Sequence, residues 1–199
     1  MTHAYEVLAS RPAFSGRVIS IRSDEVAMPG GGRSTRDVVV HPGAVAVVAL
    51  DEADRLVLVR QYRHPVGERL WELPAGLLDV AGEAAPAAAA RELQEEAGLA
   101  AGSWSVLVDL LTSPGMTDEA IRIFLARDLR PVERPAGIDE EAEMTLERVG
   151  LDEAVARVLA GDLRNGPACA GILAAAVARA QGFSRLRPAG APWPDRPGH

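Results

Sequence analysis

Between Ala75 and Leu99 the sequence AGLLDVAGEAAPAAAARELQEEAGL places glycines, an alanine run and a cluster of carboxylates in one short segment. Glu92, Glu95 and Glu96 stand at i, i+3 and i+4, so on a helix they share one face about one turn apart. Like charges at that spacing cost an isolated helix roughly 0.2–0.5 kcal/mol per pair. Only Arg91, four residues before Glu95, can relieve them from within the helix. Taken alone, such a triplet reads as a solvated acidic face. A hard divalent cation is the other way to neutralise it, since Mg2+ binds through one or two carboxylates together with substrate phosphates.

The surroundings favour the cation. Arg91 to Leu99 reads R-E-U-x-E-E-x-G-U, with U apolar, and Glu83 is separated from Arg91 by seven residues. This pattern resembles the Nudix hydrolase box, G-x5-E-x7-R-E-U-x-E-E-x-G-U. One departure is visible: Gly76 is separated from Glu83 by six residues, not five. Either the connection bulges by one residue or the glycine's role has moved. The helix half of the box is intact.

The pattern around the box fits that resemblance. Loosely apolar positions in residues 4–27, the turn Pro29-Gly30-Gly31-Gly32 and the run Val38 to Val40 suggest a small antiparallel β unit. Strands are expected over 45–50, 56–59 and 70–73, the last stopped by Pro74. A helix is expected from about Ala84 to Ala97, with Pro86 tolerated in its first turn and Gly98 ending it. Strands over 104–111, 120–127 and 144–149 and helices over 152–160 and 167–180 complete the order. Strands, helix, strands, helices predict an α/β fold with a mixed sheet covered on both faces, the α/β/α sandwich that the resemblance implies. The expected organisation is residues 1–40 as the N-terminal β unit, 41–182 as the hydrolase domain, and 183–199 as a disordered, dispensable tail rich in Pro, Arg and Gly.

Composition excludes several chemistries. All 21 basic residues are arginine, so a P-loop lysine, a kinase lysine and a Schiff-base lysine are ruled out. Cys169 is the sole cysteine, and the four histidines form no i,i+4 pair, which argues against disulfides and a His- or Cys-based metal site. His41 and His64 each precede proline and read as turn or packing residues. A net charge of −7 argues against nucleic-acid or anionic-membrane partners. No apolar run spans a bilayer and no secretory leader is evident, so a cytoplasmic protein is expected.

Further residues resemble the ADP-ribose pyrophosphatase branch of the Nudix enzymes. Pro114 lies 15 positions beyond Leu99, where that branch carries a proline; by composition Ser113-Pro114-Gly115 is simply a turn, and both readings can hold. Arg36 and Arg63 sit in segments similar to ones whose arginines contact substrate there, although an arginine at a strand end is ordinarily a surface residue. Leu77 and Glu119 fall at positions of the same kind.

The resemblance implies hydrolysis of ADP-ribose to AMP and ribose 5-phosphate. Mg2+, or Mn2+ in its place, would be held by Glu92, Glu96 and the Ala75 carbonyl. It also implies a carboxylate from the acidic segment Asp139 to Glu143 closing over substrate. Alignment on the following strand favours Glu140, and an E-x-E match favours Glu141 and Glu143; Glu141 fits as the central choice, with Glu95 as a base within the box. A homodimer joined through the N-terminal unit is expected. The alternatives are a diphosphatase for another nucleotide sugar or dinucleotide, and a non-catalytic nucleotide-sugar sensor.

Overall fold

A computed structural model describes residues 4–135 and 144–196. The chain opens with an antiparallel sheet of β1 (Val7–Ser15), β2 (Ser20–Ala27) and β3 (Arg33–Val40). Every residue of β1 is exposed, including Val7, Leu8 and Phe14.

The main core is organised on β4 (Ala44–Ala49), which is buried throughout. Side chains alternate across a strand, and here both faces are used. Ala44, Ala46 and Val48 belong to one apolar cluster; Val45, Val47 and Ala49 belong to another. β4 pairs parallel with β9 (Ala120–Pro131) and antiparallel with the short β7 (Ala75–Leu77). β9 in turn pairs with β8 (Leu99–Leu111), making a mixed sheet. A second antiparallel sheet joins β5 (Arg55–Arg63), β6 (Glu68–Glu72) and β10 (Thr145–Gly150).

Helix α1 (Ala85–Ala97) covers one face of the mixed sheet through Ala85, Ala88, Ala89 and Leu93. The alanines leave little bulk, which brings the helix axis close to the strands. Gly98, at φ 63°, closes α1 by donating to the Gln94 and Leu93 carbonyls, as its position predicts. On the other face lie α2 (Leu151–Ala160) and α3 (Gly166–Ala180), which bury Leu151, Ala168, Ile172 and Ala175. The expected α/β/α sandwich is therefore present. Among the described residues no helix is long and apolar enough to cross a membrane.

One expectation is corrected. Residues 183–196 are not a disordered tail. Phe183 and Leu186 pack on the α3 side, β11 (Arg187–Pro188) pairs with β8, and Ala189, Ala191 and Trp193 pack on the α1 side. The segment lacks periodicity because its order comes from partners far away in sequence.

Candidate functional site

Helix α1 presents Glu92, Glu95 and Glu96 toward β7 and the connection before the helix. The Arg91 guanidinium gathers three carboxylates. It donates through Nε and Nη2 to the two oxygens of Glu83, both at 3.1 Å, and through Nη1 to Glu92 at 2.7 Å and Glu95 at 2.9 Å. Its hydrogen bonds to Glu83 hold that carboxyl below the usual range, and they raise Arg91 well above its own. Glu96 is buried, 4% exposed, and accepts a hydrogen bond from the Ala75 backbone N–H at 2.9 Å. That bond ties the helix to β7.

Gly76 explains the box glycine. A Cβ at this position would lie 2.0 Å from Glu92 Oε1 and 2.1 Å from its Cδ, so only glycine lets the carboxylate lie against β7. The additional residue before Glu83 is taken up in the connection, where Glu83 N donates to the Val80 carbonyl at 3.1 Å in a turn.

A cleft of about 510 Å³ adjoins this face and brings together Ala75, Gly76, Leu77, Glu96, Arg63 and Glu119. Arg63 lies at the end of β5 and donates to Glu72 through Nε at 2.9 Å and Nη2 at 2.6 Å. Glu72 is only 3% exposed, whereas the Arg63 side chain is 43% exposed. A buried carboxylate thus orients a guanidinium that remains open to the cleft. Glu119 accepts from Thr112 Oγ1 at 2.5 Å, and its other oxygen lies 3.6 Å from His41 Nε2. His41 Nδ1 accepts from the Gly43 N–H at 3.1 Å, in keeping with a turn role.

Other expected residues lie elsewhere. Arg36 is at an exposed position of β3, where it donates to Ser34 Oγ and to the Thr35 carbonyl, and it does not line the cleft. Ser113, Pro114 and Gly115 form an exposed turn, closed by Met116 N and Thr117 N donating to the Ser113 carbonyl. The turn borders the cleft only through its flanking residues Thr112 and Glu119. Glu140 and Glu141, with Glu143, lie outside the described residues.

Gln61, Glu72 and Asn165 also line the cleft, and the sequence reading missed them. Glu72 carried a usable signal, being a lone charge in the run Leu70-Trp71-Glu72-Leu73.

Among the described residues no three acidic, His or Cys side chains are already gathered as a cation cage. The donors still suit a hard divalent ion. They are carboxylate oxygens, and the bare Cα of Gly76 leaves the Glu92 carboxylate the room it occupies.

A family model described as NUDIX domain matches residues 40–167. An ADP-ribose pyrophosphatase of Mycobacterium tuberculosis is 51% identical over 195 residues, covering 98% of this chain and 94% of that protein. A methanol dehydrogenase activator of Bacillus methanolicus is 40% identical over 150 residues, covering 75% of this chain and 80% of that protein. Among solved structures, one described as an ADP compounds hydrolase superposes with a TM-score of 0.78. It covers 92% of this chain and 98% of its own at 22% identity, a likeness of fold.

Proposed function

This chain belongs to the Nudix family, and from that premise we propose that it hydrolyses the diphosphate of ADP-ribose, giving AMP and ribose 5-phosphate, with Mg2+ or Mn2+ as cofactor. The observation that carries the reading is the junction of the two halves of the site. The carboxylate face of α1 meets the Arg63 cleft at Ala75 and Gly76. The mycobacterial relative named for ADP-ribose supports the choice of substrate.

Each residue has a part in this reading. Arg63, aimed by Glu72, grips an anionic phosphate oxygen. Leu77 and Glu119 border the nucleotide and ribose, and the turn Ser113 to Gly115 shapes that wall through Thr112 and Glu119. Glu92, Glu96 and the Ala75 carbonyl are the ligands that would hold the cation. When bound, the ion supplies neutralisation of the diphosphate and a more acidic water. Glu95, kept close to the face by Arg91, and Glu141 or Glu140 are the candidates to accept the proton of the attacking water. Hydrolysis adds hydroxide to one phosphorus, and the bridging oxygen leaves with the other.

The exposed apolar residues of β1, with Val18 and Ile19 beside it, support a homodimer through the N-terminal unit. In such a dimer Arg36, remote from its own cleft, would serve the neighbouring one.

The test is product chromatography with ADP-ribose, other nucleotide sugars and dinucleotides, in Mg2+ and in excess EDTA. AMP and ribose 5-phosphate should appear only with the ion, and Glu92→Gln should lower kcat by about 100-fold or more in a folded protein. Equal turnover in EDTA would remove the metal role. Preference for a dinucleotide would reassign the substrate, and binding of ADP-ribose without turnover would make the protein a sensor.

A further inference from the structure

The C-terminal segment and the box helix share one core. Ala189, Ala191 and Trp193 pack on the cluster that contains Ala85, Ala88 and Ala89 of α1. Arg122 of β9, only 2% exposed, anchors the segment. It donates to Asp109 at 2.7 and 3.0 Å, to the Ala191 carbonyl at 2.7 Å and to the Pro192 carbonyl at 3.0 Å, and its guanidinium lies 4.8 Å from the Trp193 ring centroid. Arg187 adds a bond to Asp109 at 2.8 Å. From this anchor the chain runs to Arg196, whose Nη2 donates to the main-chain carbonyl of Glu83 at 3.1 Å.

That contact falls where the site has least support of its own. The N-cap of α1 is Ala84, which has no side chain able to cap the helix, and the first turns are mostly alanine. The connection 78–84 is irregular, yet it carries Glu83, the principal partner of the arginine that holds Glu92 and Glu95. We propose that residues 187–196 form a strap in which Arg196 is a positioning residue: by pinning the Glu83 backbone it sets Arg91, and through Arg91 the carboxylate face. Arg196 does not line the cleft. This rests on the reading of that face as the cation-binding, catalytic one.

Three variants test it: Arg196→Ala, Arg196→Lys, and a chain ending at Pro188. Each is examined by thermal melting, by kcat and KM for ADP-ribose, and by Mn2+ titration followed by electron paramagnetic resonance without substrate. Arg196→Ala should melt within ~2 °C of the parent while losing about fivefold in kcat at a KM changed by less than about twofold. Its Mn2+ affinity should weaken by about threefold to tenfold. Arg196→Lys should recover most of both losses, because the ammonium still donates to a carbonyl. The shortened chain should lose more of each. An Arg196→Ala protein with parental kcat and Mn2+ affinity overturns the proposal. So does one whose losses only track a fraction of unfolded protein. If the parent binds Mn2+ but leaves ADP-ribose intact, the substrate reading fails, and the Mn2+ titrations still decide the strap.

Discussion

Two arginines of this molecule stand in opposite electrostatic settings. Arg91 is one cation facing three carboxylates, Glu83, Glu92 and Glu95, and its side chain is 32% exposed. Arg122 is also one cation, but it is 2% exposed and faced by one carboxylate, two carbonyls and an aromatic ring. Each guanidinium nitrogen of Arg122 has an acceptor, and Asp109 is shared between Arg122 and Arg187, so no negative charge is left over there. Around Arg91 negative charge is left over at the edge of a cleft, and a further cation can lower the repulsion. A buried, fully bonded cation serves the scaffold; in the function proposed above, carboxylates in excess beside an open cleft serve the chemistry.

That contrast can be tested at three strengths. Arg122→Met should have the largest effect, because it leaves two strap carbonyls and part of Asp109 without their donor. Breaking a buried pair on one side costs about 3 kcal/mol, a fall in Tm of roughly 6–12 °C for a chain of this size. Thermal melting reads this directly, and a fall of less than ~2 °C would mean that Arg122 is not the anchor.

Gly76→Ala should be smaller in energy and opposite in kind. The new Cβ displaces the flexible end of Glu92 and leaves backbone untouched. Stability should hold within ~1 kcal/mol, while kcat falls by about tenfold to 100-fold if Glu92 holds the cation as proposed, because its carboxylate is then misplaced. Full activity would show that the face tolerates a shift of Glu92.

The smallest effect is on pH dependence. Hydrogen bonds from Arg91 hold the folded Glu83 carboxyl below its ordinary value of 4.5. The stability this contributes is fully present above 4.5 and is lost as pH falls through the lower, folded value. Arg91 stays charged throughout and adds no slope. In urea unfolding, Glu83→Gln should therefore be less stable than the parent at neutral pH, and the gap should narrow once the pH drops below 4.5. A gap that is constant with pH would assign the loss to packing.

The fold and the clustering of the α1 carboxylates were legible because they rest on short spacings. The apolar runs at 45–50 and 56–59 and the alanine-rich pattern before Gly98 each specify an element within a few residues. The acidic triplet and Arg91 do come together on one side of α1, as their spacing predicts. What was missed were charges inside apolar runs. Glu72 follows Leu70-Trp71, and Arg122 sits in Ala120-Ile121-Arg122-Ile123-Phe124. Both are buried and partnered, Glu72 with Arg63 and Arg122 with Asp109 and the strap. A lone charge in such a run was the signal that a partner had to exist, though not which one. Arg36 and the Pro114 turn were placed by resemblance, and in the single chain they lie outside the cleft.

By itself the sequence determined the helix, the shared face of its glutamates, and the need for cationic company there, since a 3.6-residue repeat and like-charge repulsion act over one or two turns. The tertiary structure alone decided that Gly76 would receive Glu92, that Glu72 would aim Arg63, and that a Pro- and Arg-rich end would be ordered. Those outcomes depend on contacts that span 69 residues from Arg122 to Ala191 and 113 from Glu83 to Arg196. No local repeat encodes such distances. They are realised only when the folded sheet brings the two ends of each contact together and the bonds formed offset the entropy of closing the chain between them.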